Sequence, residues 1–150
     1  MTTGSGIRAV VFDMDGVIVD SEHVWDEVRE QLAGDWDGTY GPEAQGAMMG
    51  MSSPEWSAYM HEVVGIAASP EEINAEVVRR MLARYRDELP VVPGAVDAVR
   101  RLEQAGLRLA VASSSNRELI ETVLETLELT SSFEAVVSSE EVPRGKRWFG

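Results

Sequence analysis

The sequence predicts an α/β fold, in which a parallel β-sheet is interrupted by a helical insert. Apolar, β-branched runs that are typical of buried strands cover residues 7–12, 107–112 and 133–137. A helical pattern separates the last two runs, and alternating strands and helices favour a parallel sheet with right-handed crossovers. The helical block after the first strand is too long for one crossover. We therefore expect a discontinuous sheet core, residues 1–19 and 91–150, and a helical insert, residues 20–90, on hinges near residues 19–21 and 90–94.

The insert opens with a predicted amphipathic helix over residues 21–33. Val24, Val28 and Leu32 recur there at every fourth position, and the opposite face is acidic. Residues 34–50 are rich in glycine and aspartate, which predicts a loop with short helical pieces.

Two further helices of the insert have N-terminal signals that contain proline. Ser53 before Pro54 predicts an N-cap and a helix to about Val64. Ser69 and Glu72 have the spacing of a capping box, and the helix that they open ends before the proline at position 90. Its apolar stripe consists of Ile73, Val77, Met81 and Tyr85.

The C-terminal part alternates helix and strand. Residues 95–105 predict a helix that Gly106 ends, because glycine is favoured just after a helix C-terminus. The second strand follows, and Asn116 can cap a helix that runs to about Leu129. The third strand comes after that helix.

Composition limits the function. The chain has 26 acidic and 13 basic residues, a formal net charge of −13. This balance argues against nucleic acid or an anionic membrane as a partner, and a site for an anionic substrate would need a local countercharge. The absence of cysteine excludes disulfides and thiolate chemistry. The start lacks signal-peptide features and no apolar run could span a bilayer, so we expect a cytoplasmic protein.

Two aspartates follow the first strand directly. Asp13 and Asp15 would lie at the carboxyl edge of the sheet, where parallel α/β proteins bind ligands. Residues 113–116 and 138–139 end the other strands and would share that edge. Gly16 permits a turn or a close backbone approach after the aspartates.

Three interpretations of this pair compete. The aspartates could simply form a turn by bonding to their own backbone. A calcium-binding EF-hand loop would need a ligand at its fifth position and glycine at its sixth, but Val17 and Ile18 stand there. The third interpretation is a magnesium-assisted phosphoryl site, in which one carboxylate is the nucleophile and the other carries the proton.

The wider pattern resembles the haloacid dehalogenase superfamily, in particular its branch of sugar phosphatases, β-phosphoglucomutases and phosphonate hydrolases. Phe-Asp-Met-Asp-Gly-Val (residues 12–17), with Asp-Ser-Glu at 20–22, is similar to its first motif. Leu-Ala-Val-Ala-Ser-Ser-Ser, with Ser113 at a strand end, resembles the second motif, and the region of Lys146 resembles the third. The resemblance implies a Rossmann-like core with an inserted helical cap.

The resemblance also implies catalytic roles. Asp13 would attack the phosphorus in line and form an aspartyl-phosphate. The Asp15 side chain would protonate the leaving oxygen and later take a proton from the attacking water. Mg²⁺ would be the cofactor, with the Asp13 carboxylate and the backbone carbonyl of Asp15 as ligands.

Further residues would contact the substrate. Ser113 would hold a phosphate oxygen beside N–H groups of the next helix, and Lys146 would supply the countercharge. The remaining expected substrate contacts are Gly16, Glu22 and Ser114.

These roles imply a Mg²⁺-dependent phosphatase of small phosphorylated metabolites, most simply sugar phosphates. A β-phosphoglucomutase-like phosphotransferase is one alternative, but Trp25 occupies the position of the mutase histidine. Phosphonate cleavage through a Schiff base is disfavoured, because residues 16–76 contain no lysine.

The chain ends before the family's fourth motif, whose strand and acidic residues would complete the magnesium site. Glu140 and Glu141 precede Lys146 and are poor substitutes. A truncated relative with little or no catalysis, as a remnant or a binding protein, is therefore the second hypothesis. Without the fourth-motif strand, residues 10–12 would form a hydrophobic sheet edge, through which we expect self-association.

Overall fold

The structure is a computed structural model that describes residues 6–142. Its parallel sheet has the order β1–β2–β3, and the strands are β1 Ala9–Phe12, β2 Arg108–Ser113 and β3 Ala135–Ser138. The α-helices of this part of the chain are α1 Glu22–Asp35, α2 Ala44–Met48, α3 Ser53–Glu62, α4 Pro70–Asp87, α5 Ala95–Gln104 and α6 Arg117–Thr126. Short 3₁₀ turns cover Thr130–Ser132 and Ser139–Glu141.

The predicted α/β class with a parallel sheet is confirmed. No helix within residues 6–142 is long and apolar enough to cross a membrane.

The strand register brings the carboxyl ends of the three strands to one edge. Phe12 lies opposite Val111 in the β1–β2 pair, and Ser113 lies opposite Ser138 in the β2–β3 pair. The loop that begins at Asp13 therefore starts beside the end of β2. This edge carries the candidate site.

The helical insert leaves and rejoins the sheet core at neighbouring points. The Asp20 N–H donates to the Pro90 carbonyl at 2.7 Å, and the Val92 N–H donates to the Ile18 carbonyl at 2.8 Å. These backbone bonds join the two connecting segments side by side. The boundaries at residues 20 and 90 stay a prediction.

The insert has an apolar interior between α1 and α4. Val28 and Leu32 of α1 are 1% and 0% exposed. The stripe predicted for α4 is also buried, since its four side chains are each at most 3% exposed; they are Ile73, Val77, Met81 and Tyr85. Burying each such side chain stabilises the fold by roughly 1.5–3 kcal/mol, so this stripe fixes α4 against the rest of the insert.

The N-cap of α3 corrects one prediction. The cap is Ser52 rather than Ser53, and the Glu55 carboxylate accepts from the Ser52 N–H at 2.6 Å. A capping box requires the acid three residues after the cap, and only Ser52 has that spacing. The capping box of Ser69 and Glu72 is confirmed at the start of α4.

Three element boundaries also differ from the prediction. Helix α6 ends at Thr126 because Glu128 adopts a left-handed conformation, with φ of 57°. Leu129 is nevertheless fully buried, which explains why its apolar character suggested a longer helix. Strand β1 begins at Ala9 rather than at Ile7, and β3 covers Ala135–Ser138 rather than residues 133–137.

Strand β1 forms one edge of the described sheet, because β2 is its only strand neighbour within residues 6–142. Val11 on this strand is 66% exposed. An apolar edge of this kind could pair with another strand, but self-association stays a prediction.

A carboxylate after β3 connects the insert to the core. Glu140 Oε1 accepts from Asn116 Nδ2 at 2.7 Å and from Ser53 Oγ, at the start of α3, at 3.3 Å. The Asn116 amide also donates to Asn74 Oδ1 of α4 at 3.0 Å. These bonds hold α3 and α4 beside the strand ends.

Candidate active site

The loop after β1 presents its two aspartates on either side of a buried methionine. Asp13 is exposed and Asp15 is half-buried, whereas Met14 between them has no exposed surface. The loop closes through bonds from the Gly16 N–H to the Val19 carbonyl at 2.7 Å and from the Ile18 N–H to the Met14 carbonyl at 2.8 Å. Met14 therefore anchors the loop and leaves both carboxylates at the sheet edge.

Gly16 serves the conformation of this loop. Its φ is +81°, and a Cβ built at this position would meet nothing within 4 Å. The glycine is thus required by the left-handed backbone rather than by a close approach. Its predicted contact with substrate stays a prediction.

Asp15 is the best-connected side chain of the site. Its Oδ1 accepts from Ser21 Oγ at 2.5 Å and from Trp25 Nε1 at 3.3 Å. Its Oδ2 accepts from Ser115 Oγ at 2.6 Å and from Ser113 Oγ at 3.1 Å. Two donors come from the insert and two from the end of β2, so the orientation of this carboxylate is fixed from both sides.

The three serines at the end of β2 have different contacts. Ser113 is 2% exposed, and its hydroxyl donates to Asp15 and accepts from the Ser115 N–H at 3.1 Å. Ser114 and Ser115 line the cavity described next. The sequence predicted Ser113 and Ser114 but missed Ser115, although all three follow the same strand end.

A cavity of about 440 Å³ lies above the strand ends, between the sheet edge and the insert. Four of the predicted site residues line it, namely Asp13, Asp15, Glu22 and Ser114. Lys146 lies outside the described residues. The other lining residues, apart from Ser115, come from the insert: Trp25, Asp26, Arg29, Gln45, Met48, Met49, Gly50, Met51 and Trp56.

Arg29 is a cavity residue that the sequence did not predict. It is 8% exposed, and its guanidinium lies 4.7 Å from the Trp25 ring centroid and 4.8 Å from that of Trp56. Burial lowers the pKa of Arg29 to about 10, while the nearby charges of Asp15 and Asp26 act in the opposite direction. The side chain therefore remains positively charged at neutral pH.

Asp26 has its own donor in the cavity wall. Tyr40 donates its hydroxyl proton to Asp26 Oδ1 at 2.7 Å. Burial is the main cause of a raised pKa of the Tyr40 hydroxyl, and the hydrogen bond to Asp26 and the charge of Asp26 raise it further. Tyr40 therefore keeps its proton and holds the Asp26 carboxylate in place.

The described residues offer oxygen ligands to a metal but no preformed cage. Residues 6–142 contain no group of three or more histidine or acidic side chains that could hold a metal ion. Mg²⁺ commonly binds through one or two carboxylates, waters and substrate phosphate, and the exposed Asp13 carboxylate fits that requirement. Its Oδ1 also accepts from the Met14 N–H at 2.8 Å.

Glu140 and Glu141 already have other partners. Both oxygens of Glu140 accept hydrogen bonds, from Ser53 and Asn116 on one side and from the Arg117 N–H on the other. Glu141 forms an ion pair with the Arg117 side chain. These contacts agree with the prediction that Glu140 and Glu141 are poor substitutes for the acidic magnesium ligands of the fourth motif.

The fold and the site together define a class of α/β protein, in which carboxylates at the ends of parallel strands face a cavity beneath a helical insert. Residues 7–148 match the family model of haloacid dehalogenase-like hydrolases, and the chain belongs to that family.

Similar proteins agree with this assignment. The chain is 31% identical to hexitol phosphatase B of Escherichia coli (strain K12) over 97% of its own length and 67% of that protein. It is 28% identical to the phosphorylated carbohydrates phosphatase of Thermotoga maritima, over 93% and 65% of the two chains. The chain thus spans about two thirds of the length of these curated relatives.

A solved structure supports the fold alone. The crystal structure of CbbY from Rhodobacter sphaeroides in complex with phosphate has a TM-score of 0.78 and 20% identity, over 92% of this chain and 66% of that one. The predicted Rossmann-like class and the predicted hydrolase class are confirmed. A sugar phosphatase or a phosphoglucomutase-like activity agrees with the family and its named members.

Proposed function

We propose that the protein is a Mg²⁺-dependent phosphatase of small phosphorylated sugars that works through an aspartyl-phosphate on Asp13. The observation that carries this proposal is the pairing of the aspartates. Asp13 is exposed to the cavity, and Asp15, two residues later, is fixed by four donors. A nucleophile and a proton carrier need this combination of access and fixed orientation.

The first half of the reaction transfers the phosphoryl group to the enzyme. An Asp13 carboxylate oxygen attacks the phosphorus, and the bond from phosphorus to the sugar oxygen breaks. Asp15 gives its proton to that sugar oxygen, which leaves as an alcohol. The hydroxyl groups of Ser21, Ser113 and Ser115 can rotate between donor and acceptor, so their network accommodates both the protonated and the ionised Asp15.

The second half releases phosphate. A water molecule attacks the phosphorus of the aspartyl-phosphate and loses a proton to Asp15. The bond from phosphorus to Asp13 then breaks, which restores the Asp13 carboxylate and the protonated Asp15. Because Asp15 regains the proton that it gave, the two halves form a complete cycle.

The charge of the phosphate requires compensation near Asp13. Mg²⁺ bound by the Asp13 carboxylate and the backbone carbonyl of Asp15 would neutralise part of that charge. The predicted countercharge from Lys146 stays a prediction. Ser114 and Ser115 precede the N-terminus of α6, where backbone N–H groups favour an anion.

The sugar-phosphate class is supported by the names of the relatives, which act on hexitol phosphates and phosphorylated carbohydrates. Mutase activity is the weaker candidate. Trp25 donates its indole N–H to Asp15, and an indole nitrogen is a donor only, so it cannot exchange protons as a histidine can.

Phosphate release tests the proposal. The parent protein with Mg²⁺ and glucitol 6-phosphate should release inorganic phosphate, and Asp13→Asn should lower kcat by about 10³-fold or more, as loss of a nucleophile does. Asp87→Asn, which removes an exposed carboxylate at the end of α4, is the matched control and should keep parental activity. Equal phosphate release by the parent and Asp13→Asn, or none by the parent, would refute the proposal.

A further inference from the structure

Arg29 is a buried cation without an acceptor among the described residues. Its side chain is 8% exposed, and its Nε is fully buried without a hydrogen-bond partner. The ion pairs and hydrogen bonds of residues 6–142 use other arginines. An unpaired buried charge is costly, and an anion that enters the cavity would reduce that cost.

Two tryptophans contact the Arg29 guanidinium. The Trp25 and Trp56 rings meet edge to face, with centroids 5.9 Å apart and an interplanar angle of 63°, and the Arg29 guanidinium lies near both. Contacts with aromatic faces leave the edge of a guanidinium open, and because Arg29 Nε is fully buried, the terminal N–H groups are the ones that can meet a ligand. Arg29 lines the cavity in which the proposed reaction would take place.

The acids around Arg29 are already engaged. Asp26 Oδ1 accepts from Tyr40, and both oxygens of Asp15 accept from other donors. Their charges are close enough to act on Arg29, but neither carboxylate lies within ion-pair distance of it. The guanidinium therefore has both the charge and the geometry to receive an external anion.

We propose that Arg29 binds a carboxylate of the substrate, so that the preferred substrates are phosphomonoesters of sugar acids or hydroxy acids. This inference rests on the proposed function and specifies its substrate class. Four acidic side chains line the same cavity, namely Asp13, Asp15, Glu22 and Asp26. One guanidinium balances a carboxylate monoanion through two parallel hydrogen bonds. A substrate with a second phosphate in place of the carboxylate would bring a dianion to Arg29 and leave excess negative charge beside these acids.

A matched pair of ligands tests the inference. Glucitol 6-phosphate and 6-phosphogluconate share the six-carbon chain and the reacting phosphate, but one ends in an alcohol and the other in a carboxylate. Calorimetric titration in the Asp13→Asn background with Mg²⁺ gives their Kd values without turnover. We expect 6-phosphogluconate to bind at least about tenfold more tightly, as one charge-assisted pair allows.

Arg29→Met should remove that preference and bring the two Kd values within about twofold of each other. Arg84→Met is the charge-matched control, because Arg84 pairs with Glu27 on the surface of the insert and does not line the cavity. It should retain the full preference for 6-phosphogluconate.

Two results would overturn the inference. One is equal binding of both ligands, or binding of neither, in the Asp13→Asn protein, which retains Arg29. This comparison does not depend on whether Arg29→Met folds. The other is an equal loss of affinity for both ligands in Arg29→Met, which would place Arg29 at the reacting phosphate or in a purely structural role. Phosphate release by the parent is measured separately, so a failure of the proposed phosphatase activity is distinguishable from a failure of carboxylate recognition.

Discussion

Ser115→Ala should impair catalysis through the orientation of Asp15. The Ser115 hydroxyl donates to Asp15 Oδ2 at 2.6 Å, the shorter of the two bonds to that oxygen, and Ser115 is 3% exposed. A hydrogen bond to a charged group contributes about 1.5–3 kcal/mol. Ser113 still donates to the same oxygen at 3.1 Å, so we expect a loss near the lower end, about 1.5 kcal/mol.

If the transition state loses this stabilisation, kcat should fall about tenfold. The assay is steady-state phosphate release from glucitol 6-phosphate at saturating Mg²⁺, with kcat and KM measured separately across pH. Because Ser115 acts on the proton carrier, we expect kcat to fall more than KM rises and the pH profile of kcat to shift.

Ser132→Ala separates this effect from a general loss of stability. Ser132 is 8% exposed and donates to Glu103 Oε2 at 2.9 Å, so its variant also removes a hydrogen bond to a carboxylate, but Ser132 does not line the cavity. Urea unfolding should show a comparable loss of stability for both variants. If Ser115→Ala unfolds like Ser132→Ala and keeps kcat within about twofold, the assigned role of Ser115 is wrong.

Two further predictions concern pH and metal. Hydrogen bonds from Arg79 and Arg80 lower the pKa of Glu76 from 4.5 to about 2, so its contribution to stability is present above pH 4.5 and is lost as the pH falls toward 2. Because Arg79 is largely exposed, solvent screening limits this contribution to about 0.5–1 kcal/mol. Urea unfolding between pH 5 and 2 should therefore show a smaller loss of stability in Glu76→Gln than in the parent, and parallel curves would contradict the assignment. Removal of Mg²⁺ with EDTA should abolish phosphate release and added Mg²⁺ should restore it, whereas unchanged release in EDTA would exclude the metal from the reaction.

The paired aspartates were predictable because their position depends on short-range features. In a parallel α/β sheet, an apolar strand that ends in Asp-x-Asp-Gly places both carboxylates at the carboxyl edge. Ser113 was predictable for the same reason, since it ends the neighbouring strand. The structure adds that its hydroxyl contacts Asp15 directly.

Arg29 could not be predicted, because its environment depends on two helices. In the sequence it is a charged residue of an acidic amphipathic helix, a pattern that usually indicates a solvent-exposed face. Its burial depends on Trp25 one turn earlier and on Trp56 from α3. No local pattern relates Arg29 to Trp56.

The end of α6 shows a limit of apolar periodicity. Leu129 continues the apolar pattern and is fully buried, but the backbone leaves the helix at Glu128. Burial and helical conformation are separate properties, and the sequence pattern reports mainly burial.

The most direct test of the proposed mechanism is the detection of a phosphoryl group on Asp13. The parent protein, mixed with glucitol 6-phosphate and Mg²⁺ and quenched in acid during turnover, is digested and analysed by mass spectrometry. We expect one added phosphoryl group on the peptide that contains Asp13, and none in Asp13→Asn. Turnover with the phosphoryl group on another residue, or with phosphate release unaffected by Asp13→Asn, would contradict it.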